Sequence, residues 1–161
     1  MDAKEYGWVK SIGVSNYGVK HIEEFINMRN DPASAGGRTR QPELPVLNQV
    51  DLHPFMRRQA IVDVCEKNDI LLEAWGPLVR GQRFDHPVVT ALADKHGKSP
   101  AQVLLRWSIQ HKFVAIPKSV SEARIQANAQ IFDFALDEED MKQLDALDEY
   151  LVTDWDVVDE P

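Results

Sequence analysis

Lys118, Ser119, Ser121 and Arg124 follow a short apolar run, residues 114–116, that stops at Pro117. The run is too short for a helix and reads as a buried strand. Ser121 suits a helix N-cap, and Glu122 and Ala123 suit a first turn. A strand feeding a helix N-terminus presents free backbone N–H groups and the positive end of the helix dipole to an anion. Lys118 adds a point charge, and Arg124 adds a fork of donors that fits a phosphate. Spacing alone leaves two readings open, a phosphate cradle or a solvated basic loop.

The elements that must position these residues come in a regular order. Residues 8–14 read as a strand, ending in Gly13-Val14-Ser15-Asn16. Residues 19–28 have helical spacing, with Ile22, Phe25 and Ile26 on one side. Residues 30–45, rich in Gly, Pro, Ser and Arg, form a loop. A second strand, 46–51, is stopped by His53-Pro54, and a helix over 57–67 buries Ile61, Val64 and Cys65. A third strand, 70–75, ends at Gly76-Pro77, and 78–86 is a loop. The helix 87–96 is closed by Gly97. Ser99-Pro100-Ala101-Gln102 is a capping box with proline at the first helical position, opening a helix to Gln110. Strand 114–116 and helix 121–130 follow. Asp137 caps a last helix, 138–147, with an acidic first turn. The expected domain is 1–149, with 150–161 an acidic extended tail.

Four strand–helix units with short apolar strands call for a parallel sheet with right-handed crossovers. Polar residues gather past each strand's C-terminal end: Ser15 and Asn16, Gln49 and His53, Trp75, then Lys118 and Ser119. Sites in parallel α/β folds occupy that edge.

The 161 residues carry a net charge of -8. That charge disfavours non-specific binding to nucleic acid or to an anionic membrane surface. No apolar run approaches a membrane span, and the N-terminal residues do not read as a signal peptide. Cys65 is the one cysteine and has no internal disulfide partner. It reads as a small core residue in a reducing, cytoplasmic setting. The five histidines are scattered and no paired-Cys or HExxH spacing occurs, so no metal site is expected. Neither GxGxxG nor GxxxxGK is present.

Several motifs resemble those of the aldo-keto reductase family, in the family's order. They are Ser11-Ile12-Gly13-Val14-Ser15-Asn16, Asn48-Gln49-Val50-Asp51-Leu52-His53-Pro54, Glu73-Ala74-Trp75-Gly76-Pro77-Leu78 and Ile116-Pro117-Lys118-Ser119-Val120. Residues 99–107 and Phe132-Asp133-Phe134 add to the match. The resemblance implies half of a (β/α)8 TIM barrel from NADP(H)-dependent oxidoreductases acting on small carbonyl compounds. It implies that Ser15, Asn16 and Gln49 hold the nicotinamide carboxamide, and that Trp75 stacks under the nicotinamide ring. Tryptophan at that place resembles the bacterial diketogluconate-reductase-like branch. Leu78 would line the pyrophosphate path. Lys118, Ser119 and Arg124 would hold the adenosine 2′-phosphate, and Asn128 the adenine. Ala127 departs from the family's usual glutamate facing adenine.

A complete barrel of this type needs about 250 residues. The matching segments correspond to the last four strands, and the family's catalytic Asp, Tyr, Lys and His belong to the first half. None of them transfers to a position here, so no catalytic residue is assigned. His53 and Lys118 remain as possible proton donors, against their plainer roles as a turn residue and a phosphate ligand. Open strand edges invite association. The expectation is a two-fold homodimer in which the first strand of one copy pairs with the fourth of the other. Two functional classes follow, a reduced oxidoreductase or a non-catalytic cofactor-binding or interaction protein.

Overall fold

A four-stranded sheet runs in the order β1-β2-β3-β4, with β1 parallel to β2 and β3 parallel to β4. The computed structural model describes residues 2–31, 43–156 and 158. The elements are α1 (Asp2–Glu5), β1 (Val14–Ser15), α2 (Val19–Asn30), β2 (Leu47–Asp51), α3 (Gln59–Lys67), β3 (Leu71–Trp75), α4 (Pro87–His96), α5 (Pro100–Gln110), β4 (Val114–Ala115), α6 (Glu122–Ala129) and α7 (Glu138–Asp145). Neighbouring strands follow one another in sequence, as right-handed strand–helix repeats require. Much of the 30–45 loop lies outside the described residues.

The chain divides into two units. One comprises Met1–Val50, Gln59–Leu72 and Val157–Pro161, the other Asp51–Arg58 and Glu73–Asp156. In the first unit, β1 is much shorter than the strand expected over 8–14. The amides of Trp8 and Val9 donate to the Ala3 carbonyl at 2.8 and 3.3 Å, and Gly7 turns at φ +73°. These bonds cap α1 and hold the chain in a turn instead of a ladder. Ile22 on α2 and Ile61, Val62 and Cys65 on α3 are buried. Val64 is only half-buried, because the apolar stripe of α3 passes through Val62.

The second unit is built on α4 and α5. Gly97 closes α4 at φ +61°, and the Ser99–Gln102 capping box opens α5. Gln102 then does more than cap. Its Oε1 accepts from the Ser99 amide at 2.9 Å, and its Nε2 donates to the carbonyls of Ala127 and Gln130 at 3.1 and 2.9 Å. This matters because α6 buries none of its own side chains. Asp137 caps α7 with Asp140 as its reciprocal partner.

Residues 150–156, expected as part of an acidic extended tail, make specific contacts within their unit. The Leu151 amide donates to the Phe55 carbonyl at 2.9 Å. Asp156 meets Arg58 at 2.8 Å, Asp154 pairs with Arg80, and the Tyr150 hydroxyl donates to Asp156 at 2.6 Å. The acidic residues are counterions to arginines of the same unit, a pairing that composition does not reveal.

Candidate functional site

Polar residues at the C-terminal ends of the strands form a separate group in each unit. In the first, the register pairs Val14 with Asn48 and Ser15 with Gln49. The Asn16 amide donates to the Gln49 carbonyl at 2.8 Å, and the Ser15 hydroxyl reaches the same carbonyl at 3.1 Å. Asn16 holds φ +60°, a conformation asparagine tolerates better than most residues. Buried Asn48 locks the turn that follows. Its Nδ2 donates to the Tyr17 carbonyl at 2.8 Å, and its Oδ1 accepts from the Tyr17 amide at 3.3 Å. Ser15, Asn16 and Gln49, singled out in the sequence, are thus brought together by the β1–β2 register and the Gln49 carbonyl, and Asn48 fixes the turn that follows them. Nδ2 also lies 3.8 Å from the Cys65 thiol, whose proton affinity burial raises. Cys65 is a core residue, as expected.

The second unit carries the remaining candidates. Half-buried Trp75 ends β3, and Gly76 turns the chain at φ +65°. The expected loop then contains one 3-10 turn, Val79–Gly81. Val79, Arg80 and Gly81 have φ of 53, 50 and 78° in succession. A β-branched residue in that region stores about 1–3 kcal/mol of strain. Bonds from the Val79 amide to the Gly76 carbonyl and from the Gly81 amide to Leu78, both 2.8 Å, over-determine the turn. They fix half-buried Leu78 three residues beyond Trp75.

At the end of β4, the Ile116 amide bonds the Ala74 carbonyl at 3.2 Å. Ser121 takes the N-cap position of α6, but its side chain makes no cap bond, in contrast to the sequence expectation. Ser119 Oγ instead accepts from the Ser121 amide at 3.3 Å, which turns the chain before the helix starts. Lys118 and Arg124 are exposed and enter no ion pair among the described residues, while Asn128 is half-buried. The positive end of the α6 dipole and the charges of Lys118 and Arg124 thus lie close together in sequence at the start of this helix.

The sequence singled out His53 as a candidate proton donor but did not reveal that it pairs with Asp51. These residues are two apart at the end of β2 and point the same way. Both are buried, at 3% and 0% exposure, with His53 Nε2 3.4 Å from Asp51 Oδ1. His53 is fully buried, which sets it apart from a donor that must touch substrate. Burial pushes the Asp51 carboxyl up to about 7, against the pull of Arg58 and Arg80. Burial pushes the His53 imidazole down to about 3, helped by Arg58. A raised carboxyl stabilises the fold most in acid. The unfolded chain loses that proton above about pH 4, so the Asp51 contribution declines from there and is fully lost above about pH 7. His53 acts oppositely, because the unfolded chain gains its proton below about pH 6.5 while the folded chain resists until about pH 3. Asp51→Asn is therefore expected to be more stable than the parent at about pH 8, by roughly 1–3 kcal/mol. That advantage should shrink towards about pH 4, as read by urea unfolding at several pH values. An advantage constant across pH would contradict the assignment.

Among the described residues, no cluster of His, Cys, Asp and Glu is arranged to hold a metal ion. No helix among them is long and apolar enough to cross a membrane.

The Aldo/keto reductase family pattern matches residues 1–86 and 85–149. The chain belongs to the aldo/keto reductase family. Glyoxal reductase of Bacillus subtilis is 46% identical over 142 residues, which cover 88% of this chain and 47% of that protein. The uncharacterized oxidoreductase YJR096W of Saccharomyces cerevisiae is 38% identical over 164 residues, covering all of this chain and 54% of the yeast protein. Among solved structures, the apo form of Gox0644 superposes with a TM-score of 0.85 at 33% identity. The match covers 99% of this chain and 55% of Gox0644. A point mutant of Gox0644, solved in complex with NADPH, matches with a TM-score of 0.80 at 36% identity, over 92% of this chain and 50% of that one. The chain thus spans about half the length of the aldo-keto reductases it resembles, which agrees with half of a (β/α)8 barrel.

Proposed function

We propose that this chain is the cofactor-holding half of an aldo-keto reductase barrel and that it binds NADP(H). The observation that carries this reading is the start of α6, where Lys118 and Arg124, unpaired among the described residues, stand beside a helix N-terminus that Ser121 leaves uncapped. The 2′-phosphate of the cofactor is the dianion that such a cradle selects. Lys118, Ser119 and Arg124 would take that phosphate and Asn128 the adenine. Leu78 would line the pyrophosphate path. Trp75 would present its indole face to the nicotinamide, while Ser15, Asn16 and Gln49 would bond its carboxamide. The structure solved with NADPH supports this by analogy.

When bound, the nicotinamide supplies hydride, which is the cofactor's own chemistry. Carbonyl reduction also needs a group that protonates the developing alkoxide. The family's acid, and the Asp, Lys and His that accompany it, have no counterpart among the motifs of this chain. The reading is therefore binding without turnover by these 161 residues alone.

NADPH fluorescence titration tests the binding. The Lys118→Ala/Arg124→Ala pair is expected to weaken NADPH affinity about 10- to 100-fold, from charge-assisted bonds partly screened by solvent. NADH affinity should change less than about threefold, because it lacks the 2′-phosphate. Equal losses for both cofactors would contradict the phosphate assignment. A panel of aldehydes then tests the second half of the reading. Turnover by this chain alone would show that a proton donor is present after all.

The sheet ends in β1 and β4, and the exposure of Val114 and Ile116 on the β4 side is 43% and 39%. A second copy that pairs its β1 against β4 would cover both edges with parallel ladders. Light scattering at micromolar concentration is expected to give twice the chain mass. A monomer that unfolds cooperatively would refute this pairing.

A further inference from the structure

We propose that Asp51 and His53 form a buried proton-holding pair that positions Trp75 through Gly76, so that the proton on the pair sets how the indole is presented at the end of β3. The regulatory meaning rests on the reading of Trp75 as the nicotinamide platform; the pair itself does not.

The geometry isolates the two side chains with each other. Among the described residues, Asp51 Oδ1 and both ring nitrogens of His53 are buried without a hydrogen-bond partner. The cations nearby are already engaged. Arg58 donates from Nε to the Asp51 backbone carbonyl at 3.2 Å, not to its carboxylate, and its Nη2 meets Asp156 at 2.8 Å. Arg80 is paired with Asp154. Tyr150 spends its hydroxyl on Asp156 and lays its ring against the Arg58 guanidinium at 5.6 Å. Of the groups that face Asp51 from these elements, only the His53 imidazole is left to serve it, 3.4 Å away. A lone buried carboxylate is so unfavourable that it keeps a proton instead. A neutral imidazole is the acceptor that such a carboxyl needs. His53 is held in place by an antiparallel bridge, its amide to the Met56 carbonyl at 3.2 Å and the Met56 amide back at 2.9 Å.

The coupling to Trp75 runs through backbone. The Leu52 amide, between the two residues of the pair, faces the Trp75 carbonyl at 3.4 Å. A Cβ on Gly76 would stand 2.7 Å from Asp51 Oδ1, so the carboxyl rests directly against the residue after Trp75. Loss of the proton puts a full negative charge at that contact and leaves the carboxyl with no proton to offer the imidazole 3.4 Å away. The strand end has to answer by moving.

Trp75 fluorescence, isolated by subtracting the Trp75→Phe spectrum from that of the full chain, tests this without cofactor from about pH 5 to about pH 9. One single-proton transition centred near neutrality is expected in the parent. It should vanish in Asp51→Asn and shift by at least about one pH unit in His53→Gln, with circular dichroism confirming that each variant is folded. A parent without a transition, or an Asp51→Asn variant that keeps it, overturns the proposal. Should Asp51→Asn not fold, the parent's infrared spectrum decides. A protonated carboxyl band is expected at about pH 6 and its absence there is fatal to the idea. NADPH binding, measured separately, keeps the two readings apart. No binding with the titration intact sinks the cofactor assignment only, whereas binding with no Asp51-dependent titration sinks this proposal only.

Discussion

Gly76→Ala is expected to destabilise the chain by about 2–4 kcal/mol and to disturb Trp75 at the same time. Two effects add. The residue sits at φ +65°, where any L side chain costs about 1–2 kcal/mol. The new methyl would also stand 2.7 Å from Asp51 Oδ1. A short side chain at 3% exposure, ringed by Arg58, His53 and β3, has little room to swing away. Urea unfolding measures the loss. A double-mutant cycle with Asp51→Ala separates the two contributions, since the steric part should disappear when the carboxyl is gone while the backbone part stays. An additive cycle would mean that the carboxyl does not rest on Gly76. NADPH affinity should fall in Gly76→Ala beyond what lost stability explains, when measured at a temperature where the variant is fully folded.

Trp107→Ala should produce the largest loss of stability, about 3–5 kcal/mol. The residue is 1% exposed and is the largest fully buried side chain among the described residues. Its ring makes edge contacts with His111 and Phe113 at centroid distances of 4.5 and 5.9 Å. Its indole N–H donates to Asp145 Oδ1 at 2.8 Å. Trp107→Phe separates the two kinds of contribution. It keeps most of the apolar contact and loses the bond, while Asp145 retains His111 Nε2 at 2.9 Å. The expected loss is then only about 1–2 kcal/mol. Chemical denaturation of both variants gives the comparison. Equal losses would place the weight on the hydrogen bond and not on the packing.

Much of the fold is legible in sequence because its signals are local. Pro100 after Ser99, Gln102 at the reciprocal position and Gly97 past the last turn fix the bounds of α4 and α5 through backbone dihedrals and caps. The strands at 47–51 and 71–75 are marked by apolar runs that stop at His53-Pro54 and Gly76-Pro77. The first strand departs from its expected length for one local and one nonlocal reason. Its apolar residues are spent on a turn that caps α1, and a ladder exists only where β2 is present to receive it. At Ser121 no side-chain cap bond forms, and Ser119 Oγ, accepting from the Ser121 amide, turns the chain into α6 instead.

The candidate site divides in the same way. Residue types at the strand ends are readable, because parallel strand–helix units collect polar residues at one edge. By itself the sequence determined that edge, the four repeating units, the basic start of α6 and the family to which the chain is assigned. Only the tertiary structure decided that the Gln49 carbonyl joins Ser15 and Asn16 while Asn48 fixes the turn at Tyr17, and that the acidic residues after 150 are counterions to Arg58 and Arg80. It alone decided that Asp51 and His53 are buried 3.4 Å apart. The reason is physical: caps and periodicity act over a few residues, whereas burial and charge pairing join positions up to 98 apart in sequence, as Arg58 and Asp156 are.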